Sequence, residues 1–580
     1  MKSLMTPTLD TGTYSVDSNG VYLQKERDKF EYSDGKQTEN YLNRVLDAAD
    51  DLSTHSQFLY DHIRDWTSNY HLSPKRSQVF GGFSFSRTLK VLELGCGCGA
   101  ITRFLGENFD EVISVDGSYE RAEIARKRSK DLESVSVICS NFQDLPFEGV
   151  FDLIVCVGVF EYSENYINGE KPFNKALQLF KTYLKPDGKL FLAIENQFGL
   201  KYFNGAKEDH VGIPYEGMEG YARRKRKVKT FGRKKLSAIV NQEFGHAELF
   251  YPFPDYKLPD CVVSDSFLKN NASSELIASH MYRDYSASDQ FKFDPYLTVM
   301  EMSDDLSLPD MANSMIVVAS NASFDKDDIF PYLGNVFSTD RKPAFRNVTV
   351  FEGDITTQNI RVKKNRLLTS QNACSGNVRN EPVDSDWVSE LSLMSKIYKL
   401  WNADASLEEK IAPAKIWLET LKDIAIEKNG ELYLPGNYID AIWCNSFEKD
   451  GIVHFVDLEW IWKDEIKLST VVIRTIVEFL YFRDLHLRRG DFLGNSGGQK
   501  IVEMVCDVLK FKVTKSDFSE YIDVQTKFSY EVSGANILDS KIRISMFLKN
   551  RLMLRCCIRL IRSTKTIKTK FMNKARLSWF

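Results

Sequence analysis

Three glycines at alternate positions, Gly95, Gly97 and Gly99, sit in the segment V-L-E-L-G-C-G-C-G-A-I-T from Val91 to Thr102, and an acid, Glu93, stands two residues before the first of them. An apolar strand that runs into glycines and then a helix start lets the backbone turn tightly against a ligand. It also leaves the helix N-terminus with free N–H groups. About 20 residues beyond Gly97, the run V-I-S-V-D-G-S places Asp116 at the end of a second strand. A carboxylate there can accept both hydroxyls of a ribose.

Gly95-x-Gly97-x-x-Ala100 on its own also fits a dinucleotide fingerprint. Glu93 decides between the readings, because an acid on an apolar strand suits the ammonium of an amino-acid moiety better than a second phosphate. That favours S-adenosylmethionine over NAD. The elements that must hold these residues follow in order: V-I-S-V (Val112–Val115), V-S-V-I (Val135–Ile138), F-D-L-I-V-C-V (Phe151–Val157) and K-L-F-L-A-I (Lys189–Ile194), separated by amphipathic helical pattern. Such alternation predicts an α/β, doubly wound, mostly parallel sheet covered on both faces. Ser140 to Phe147 follows the third strand, where a polar side chain and a backbone N–H can read an adenine.

Over residues 86 to 200 this ordered set resembles the class I S-adenosylmethionine-dependent methyltransferases, whose sheet is Rossmann-like. The resemblance implies that Glu93, Gly95, Gly97 and Gly99 flank the methionine part of the donor, that Asp116 binds ribose, and that Asn141 with Phe142 contacts adenine. Val157 to Tyr162 then borders the reacting sulfonium. Many members have Asp where this chain has Asn141. Further motifs, N-Y-H-L-S-P-K-R (Asn69–Arg76), E-N-Q-F-G-L-K-Y-F-N-G-A-K-E-D-H-V-G (Glu195–Gly212), T-F-G-R-K-K-L (Thr230–Leu236) and Y-P-F-P-D-Y-K-L-P (Tyr251–Pro259), resemble a bacterial subfamily found in polysaccharide and O-antigen assembly. The implied acceptor is a hydroxyl or phosphate on a surface glycan or its lipid-linked precursor; the alternative is a non-catalytic scaffold of a glycan-assembly complex. A hydroxyl acceptor benefits from a base within hydrogen-bond reach. His210, flanked by Asp209, is the first candidate and Glu195 the second, with His71 a further histidine near the same motifs. Arg223 to Lys227, with Lys229 and Arg233 to Lys235, forms a basic cluster suited to a phosphate or acidic glycan.

The whole chain has 580 residues, 43% hydrophobic and 27% charged, which excludes a disordered or low-complexity protein and implies several domains. Four regions emerge: a helical N-terminal extension at 1–85, the methyltransferase domain at 86–330, an accessory domain at 345–535 and a basic tail at 541–580. The ten cysteines show no C-x-x-C or Cys/His spacing, so buried free thiols and no metal are expected. In the accessory domain Asp440, Asn445 and Asp457 approach the spacing of a kinase catalytic loop and its magnesium-binding Asp. The resemblance to small-molecule phosphotransferases is incomplete: no His precedes Asp440, Glu459 replaces a glycine, and no strand-borne phosphate clamp is obvious. A degenerate kinase-like or unrelated accessory domain is therefore favoured over a bifunctional methyltransferase/kinase. The tail carries 12 Lys or Arg and no acid, leaving the first 540 residues with 64 basic and 80 acidic groups. Its apolar and arginine faces fit a helix lying on an anionic membrane. An acidic body without aromatic-interleaved basic stripes argues against nucleic acid. With neither a signal peptide nor a membrane span in the sequence, the expected location is cytoplasmic, peripheral at the inner face of the cell membrane.

Overall fold

Strands built almost wholly from Val, Ile, Leu, Phe and Ala, buried on both faces, dominate the first part of the protein. The computed structural model describes residues 13–24, 35–167, 169–222, 228–270, 273–281, 292–305, 307–357, 359–368, 374–486 and 496–550. These fall into two compact units, which part after Val336; the stretches around 274–278 and 292–300 belong with the second.

In the first unit, β1 (Tyr14–Val16) and β2 (Tyr22–Gln24) form a hairpin, followed by helices α1 (Lys36–Asp47), α2 (Gln57–Asp61) and α3 (Trp66–Leu72). Then come β3 (Lys90–Leu94), α4 (Ala100–Asn108), β4 (Glu111–Asp116), α5 (Tyr119–Arg128), β5 (Val135–Cys139), β6 (Phe151–Val157) and β7 (Leu184–Glu195). The unit closes with β8 (His246–Phe253), β9 (Cys261–Ser264), β10 (Ser314–Ser320) and β11 (Gly334–Ser338). The strands lie in the order β1-β2-β5-β4-β3-β6-β7-β10-β8-β9-β11. From β2 to β7 neighbours are parallel, while β10 is antiparallel to both β7 and β8.

The order reverses between β3 and β6: β4 and β5 extend one way from β3, β6 and β7 the other. Open α/β sheets bind ligands in the crevice at the carboxyl ends of such a pair of strands. The N-terminal region differs from an all-helical extension. Besides α1 to α3 it supplies the hairpin, with Tyr22 opposite Ile138 and Leu23 opposite Cys139. Strands of three residues are too short to show alternation, so periodicity misses them.

The second unit contains a hairpin of strands Asn347–Asp354 and Asn359–Arg366, helices Leu393–Trp401 and Ala414–Ile424, and a long helix Leu468–His486. Trp417 and Trp443 lie fully buried with ring centroids 6.0 Å apart. Among the described residues no helix is long and apolar enough to cross a membrane. Of the basic tail, residues 551–580 lie outside the described residues, as do Arg223 to Lys227 of the basic cluster.

Candidate active site

A cavity of about 280 Å3 opens at the carboxyl ends of β3, β4, β6 and β7. One wall is a single stretch of chain. Beyond β3 the backbone turns through Gly95, Gly97 and Gly99, all with positive φ. A Cβ on Gly95 would stand 2.3 Å from Val159 Cγ2, and one on Gly99 only 2.6 Å from Ala125 Cα. The first glycine keeps the turn thin where β3 and β6 converge; the third lets α4 start directly against α5. Asp116 ends β4 with its carboxylate tied to the turn: Oδ2 accepts from the Gly97 N–H at 2.8 Å and Oδ1 from the Ser118 N–H at 2.9 Å. Each oxygen keeps a lone pair for a further donor.

Glu93 lies beneath this turn, fully enclosed. Its Oε2 accepts from Thr102 Oγ1 and from Ser114 Oγ, both at 2.7 Å. Burial pushes its carboxyl up to about 7, despite those two hydrogen bonds. The nearby Arg76 offsets that burial only in part, and the enclosed acid stands beside an Asp116 carboxylate with lone pairs left for a diol.

The opposite wall is assembled from distant segments. Glu161 sits in the turn after β6, Glu195 is the last residue of β7, and parallel pairing of those strands sets the two acids side by side. His210, from the loop at 204–213, inserts between them. Its Nε2 lies 3.3 Å from Glu161 Oε1 and 3.7 Å from Glu195 Oε2, and its Nδ1 lies 2.6 Å from Glu208 Oε1. Burial alone would lower the imidazole pKa, but Glu195, Glu161 and Glu208 together raise it well above the ordinary value. Burial raises the Glu161 carboxyl. It opposes ionisation of Glu195 too, but there Lys257 and His210 outweigh it and hold the group below the usual range.

Asp209 does not pair with its neighbour His210 as the sequence suggests. Lys201 Nζ lies 2.6 Å and Lys257 Nζ 3.0 Å from its Oδ2, and the Tyr202 hydroxyl donates to the same atom at 2.8 Å. Adjacent loop residues point in different directions, so Glu208 takes the place expected for Asp209. Lys257 also bonds Glu195, whose Oε1 accepts from the Tyr256 hydroxyl at 3.1 Å.

Of the residues named from sequence, Glu93, Gly95, Gly97, Asp116 and Phe142 line the cavity on the donor side, and Glu195, Asp209 and His210 on the other. His71 also reaches it, from α3. Gly99 shapes the turn from behind. Asn141 is not part of the lining; its amide donates to Asp144 Oδ2 at 3.1 Å. Within the basic cluster Arg233 is engaged, 3.0 Å from Asp265 and 3.7 Å from Asp310. Glu161, Glu208, Tyr256 and Lys257 carry no signal of their own in the sequence, although Glu161 falls in the Val157–Tyr162 stretch that borders the sulfonium in the resemblance and Lys257 in the motif Tyr251–Pro259.

Part of the chain is similar to known proteins. A family model described as "Methyltransferase domain" matches residues 92–192. The cyclopropane-fatty-acyl-phospholipid synthase of Escherichia coli is 31% identical over 105 residues, 18% of this chain and 25% of that protein. The malonyl-[acyl-carrier protein] O-methyltransferase of Priestia megaterium is 30% identical over 111 residues, 19% of this chain and 38% of that one. The chain thus spans well under half the length of these relatives. Among solved structures, the N-methyltransferase NodS from Bradyrhizobium japonicum with S-adenosylhomocysteine is 22% identical, covering 28% of this chain and 74% of that one at a TM-score of 0.20. Residues 92–192 therefore carry a class I methyltransferase domain, and its cofactor is S-adenosylmethionine.

Proposed function

We propose that the methyltransferase domain moves a methyl group from S-adenosylmethionine to a hydroxyl or phosphate oxygen of a bacterial surface glycan or its lipid-linked precursor. The observation that supports methyl transfer best is the cavity itself, with Glu93, the glycine turn and Asp116 on one wall and Glu161, Glu195 and His210 on the other. Bound there, S-adenosylmethionine supplies an electrophilic methyl on a sulfonium. Glu93 would hold its ammonium and Asp116 its ribose. The thin turn at Gly95 and the packing of α4 set the line of approach, and alignment of this kind provides most of the rate enhancement in a displacement. A proton leaving an acceptor hydroxyl is taken up within the set formed by Glu161, Glu195, His210 and Glu208.

The glycan acceptor is supported by the four motifs at 69–76, 195–212, 230–236 and 251–259. The name of the Priestia megaterium relative denotes transfer to oxygen, whereas that of the Escherichia coli relative denotes chemistry on a lipid. The test follows label from methyl-labelled S-adenosylmethionine into surface polysaccharide and its lipid-linked precursors. No label in either fraction removes the glycan acceptor. A non-catalytic scaffold needs no donor, so calorimetry with S-adenosylhomocysteine separates it from the enzyme.

Two finer readings concern the rest of the chain. A kinase-like second unit is favoured by Lys364, on strand Asn359–Arg366, which pairs with Asp457 and lies 3.4 Å from Glu459. Asp457 has a φ of 58°, and Asn445 donates to Asp440 Oδ2 at 3.3 Å. Lys364 is a strand-borne cation that sequence spacing does not mark. Magnesium-dependent ATP turnover lost in Asp457→Ala supports phosphotransfer there; its absence from the intact chain leaves an accessory domain. Attachment of the tail to an anionic membrane, at the inner face, is supported by Ile537, Leu538 and Ile542, which stand exposed on the helix Ile537–Lys549 where the tail begins. Deleting 541–580 should abolish flotation with anionic liposomes.

A further inference from the structure

We infer that Glu161, Glu195 and His210 form a divalent-cation site on the acceptor wall of the cavity, taking a transition ion through two carboxylates and one imidazole. The inference deepens the methyl-transfer reading and rests on it for its consequence, though not for its geometry. Each residue offers one ligand atom, and the three atoms lie within 4.8 Å of one another. Among the described residues no other set of three His, Cys, Asp or Glu side chains brings ligand atoms so close.

The surroundings point the same way. The Glu161 and Glu195 side chains are 1% and 0% exposed, and the Oε2 of each has no hydrogen-bond partner. A buried carboxylate oxygen without a hydrogen-bond partner has given up its hydration for nothing in return, and both residues line the cavity. Lys257 and Tyr256 satisfy only the other oxygen of Glu195. On the far side of the imidazole, Glu208 is itself fixed: its Oε2 accepts from the backbone N–H groups of His210 and Val211 at 2.8 and 2.7 Å. Its Oε1, 2.6 Å from Nδ1, sets the ring orientation and leaves Nε2 facing the two carboxylates. Metal-binding histidines carry this arrangement, a carboxylate on one ring nitrogen and the ion on the other. Two oxygens and one nitrogen suit Mn2+, Fe2+ or Zn2+ better than a soft ion. An ion here would bind the oxygen of the acceptor and make its hydroxyl more acidic, which selects acceptors that present an oxyanion or a polarisable hydroxyl.

The probe is Co2+, added to the full chain after treatment with chelator and followed by its visible d–d absorption and by calorimetry. One Co2+ per chain is expected, with the band lost in both Glu161→Gln and His210→Asn. In Glu208→Gln, which orients the ring without touching the ion, affinity should fall about 10–100-fold. Binding of S-adenosylhomocysteine, measured on the same samples, shows that the variants retain their fold. No stoichiometric Co2+ on the wild-type chain overturns the inference, as does a band that survives in either ligand variant. If Co2+ binds as described while S-adenosylhomocysteine does not, the cation site stands and the methyl-transfer reading falls.

Discussion

The two walls of the cavity achieve placement by opposite means. The donor wall, apart from Phe142, is one stretch from Val91 to Asp116, positioned by backbone geometry: glycines where a Cβ has no room and a carboxylate bonded to main-chain N–H groups. The acceptor wall draws Glu161, Glu195, Glu208, Asp209, His210 and Lys257 from separate segments and fixes them by balancing buried charge. The donor wall should therefore tolerate loss of a charge at the expense of ligand affinity, whereas the acceptor wall should lose its fold.

The largest expected effect is on the acceptor side. Lys257→Met leaves Glu195 and Asp209 short of a shared counter-ion, and breaking a buried pair in this way costs about 3–5 kcal/mol. Urea unfolding of the purified chain measures it, and a loss below about 1 kcal/mol would show that the acids do not depend on that lysine. Next comes Asp116→Ala. Removing charged hydrogen bonds worth about 1.5–3 kcal/mol should weaken S-adenosylhomocysteine binding by roughly 10–100-fold while unfolding changes less than for Lys257→Met. If stability falls as far as affinity, the contrast between the walls disappears.

A third, smaller effect is a pH dependence. The Glu93 carboxyl is raised from 4.5 to about 7 in the folded protein, so the neutral acid is the stable form there. Its contribution to stability is complete below 4.5 and fades as pH climbs through 7. A ligand ammonium prefers the ionised acid, so donor affinity should increase as pH approaches 7, with proton release on binding. Calorimetry in two buffers of different ionisation enthalpy reads that proton, and Glu93→Gln should remove it. The smallest effect belongs outside both walls. Arg87 and Asp110 pair at 2.8 Å with side chains 64% and 46% exposed, so Arg87→Ala should shift stability by no more than about 1 kcal/mol and leave binding unchanged.

The same contrast explains what the sequence revealed. The strand, the three glycines, Glu93 and Asp116 were legible because the chemistry needs them at fixed local spacing. Glu161 and Glu195 are neighbours only because β6 and β7 pair in parallel, and no spacing rule connects residues 34 apart. The proposed ligand set was illegible for the same reason: two carboxylates and a lone histidine have no linear signature. Asp209 flanks His210 in sequence but bonds Lys201, while Glu208 bonds the imidazole, because adjacency in the chain does not fix where loop side chains point. Lys364 meets Asp457 across 93 positions, a pairing that only the folded second unit makes visible. The hairpin Tyr14–Gln24 leaves no periodic trace because its strands are too brief for one.

The place of β10 has a consequence for how the protein is made. It fills the gap between β7 and β8, with every residue from Ser314 to Ser320 paired to β7. During synthesis, β7 and β8 therefore emerge long before the strand that joins them, each with a bare row of N–H and C=O groups. Such edges template pairing with other chains, and joins between remote segments form slowly. A chain ending before Ser314 should therefore aggregate more readily than one that includes that strand.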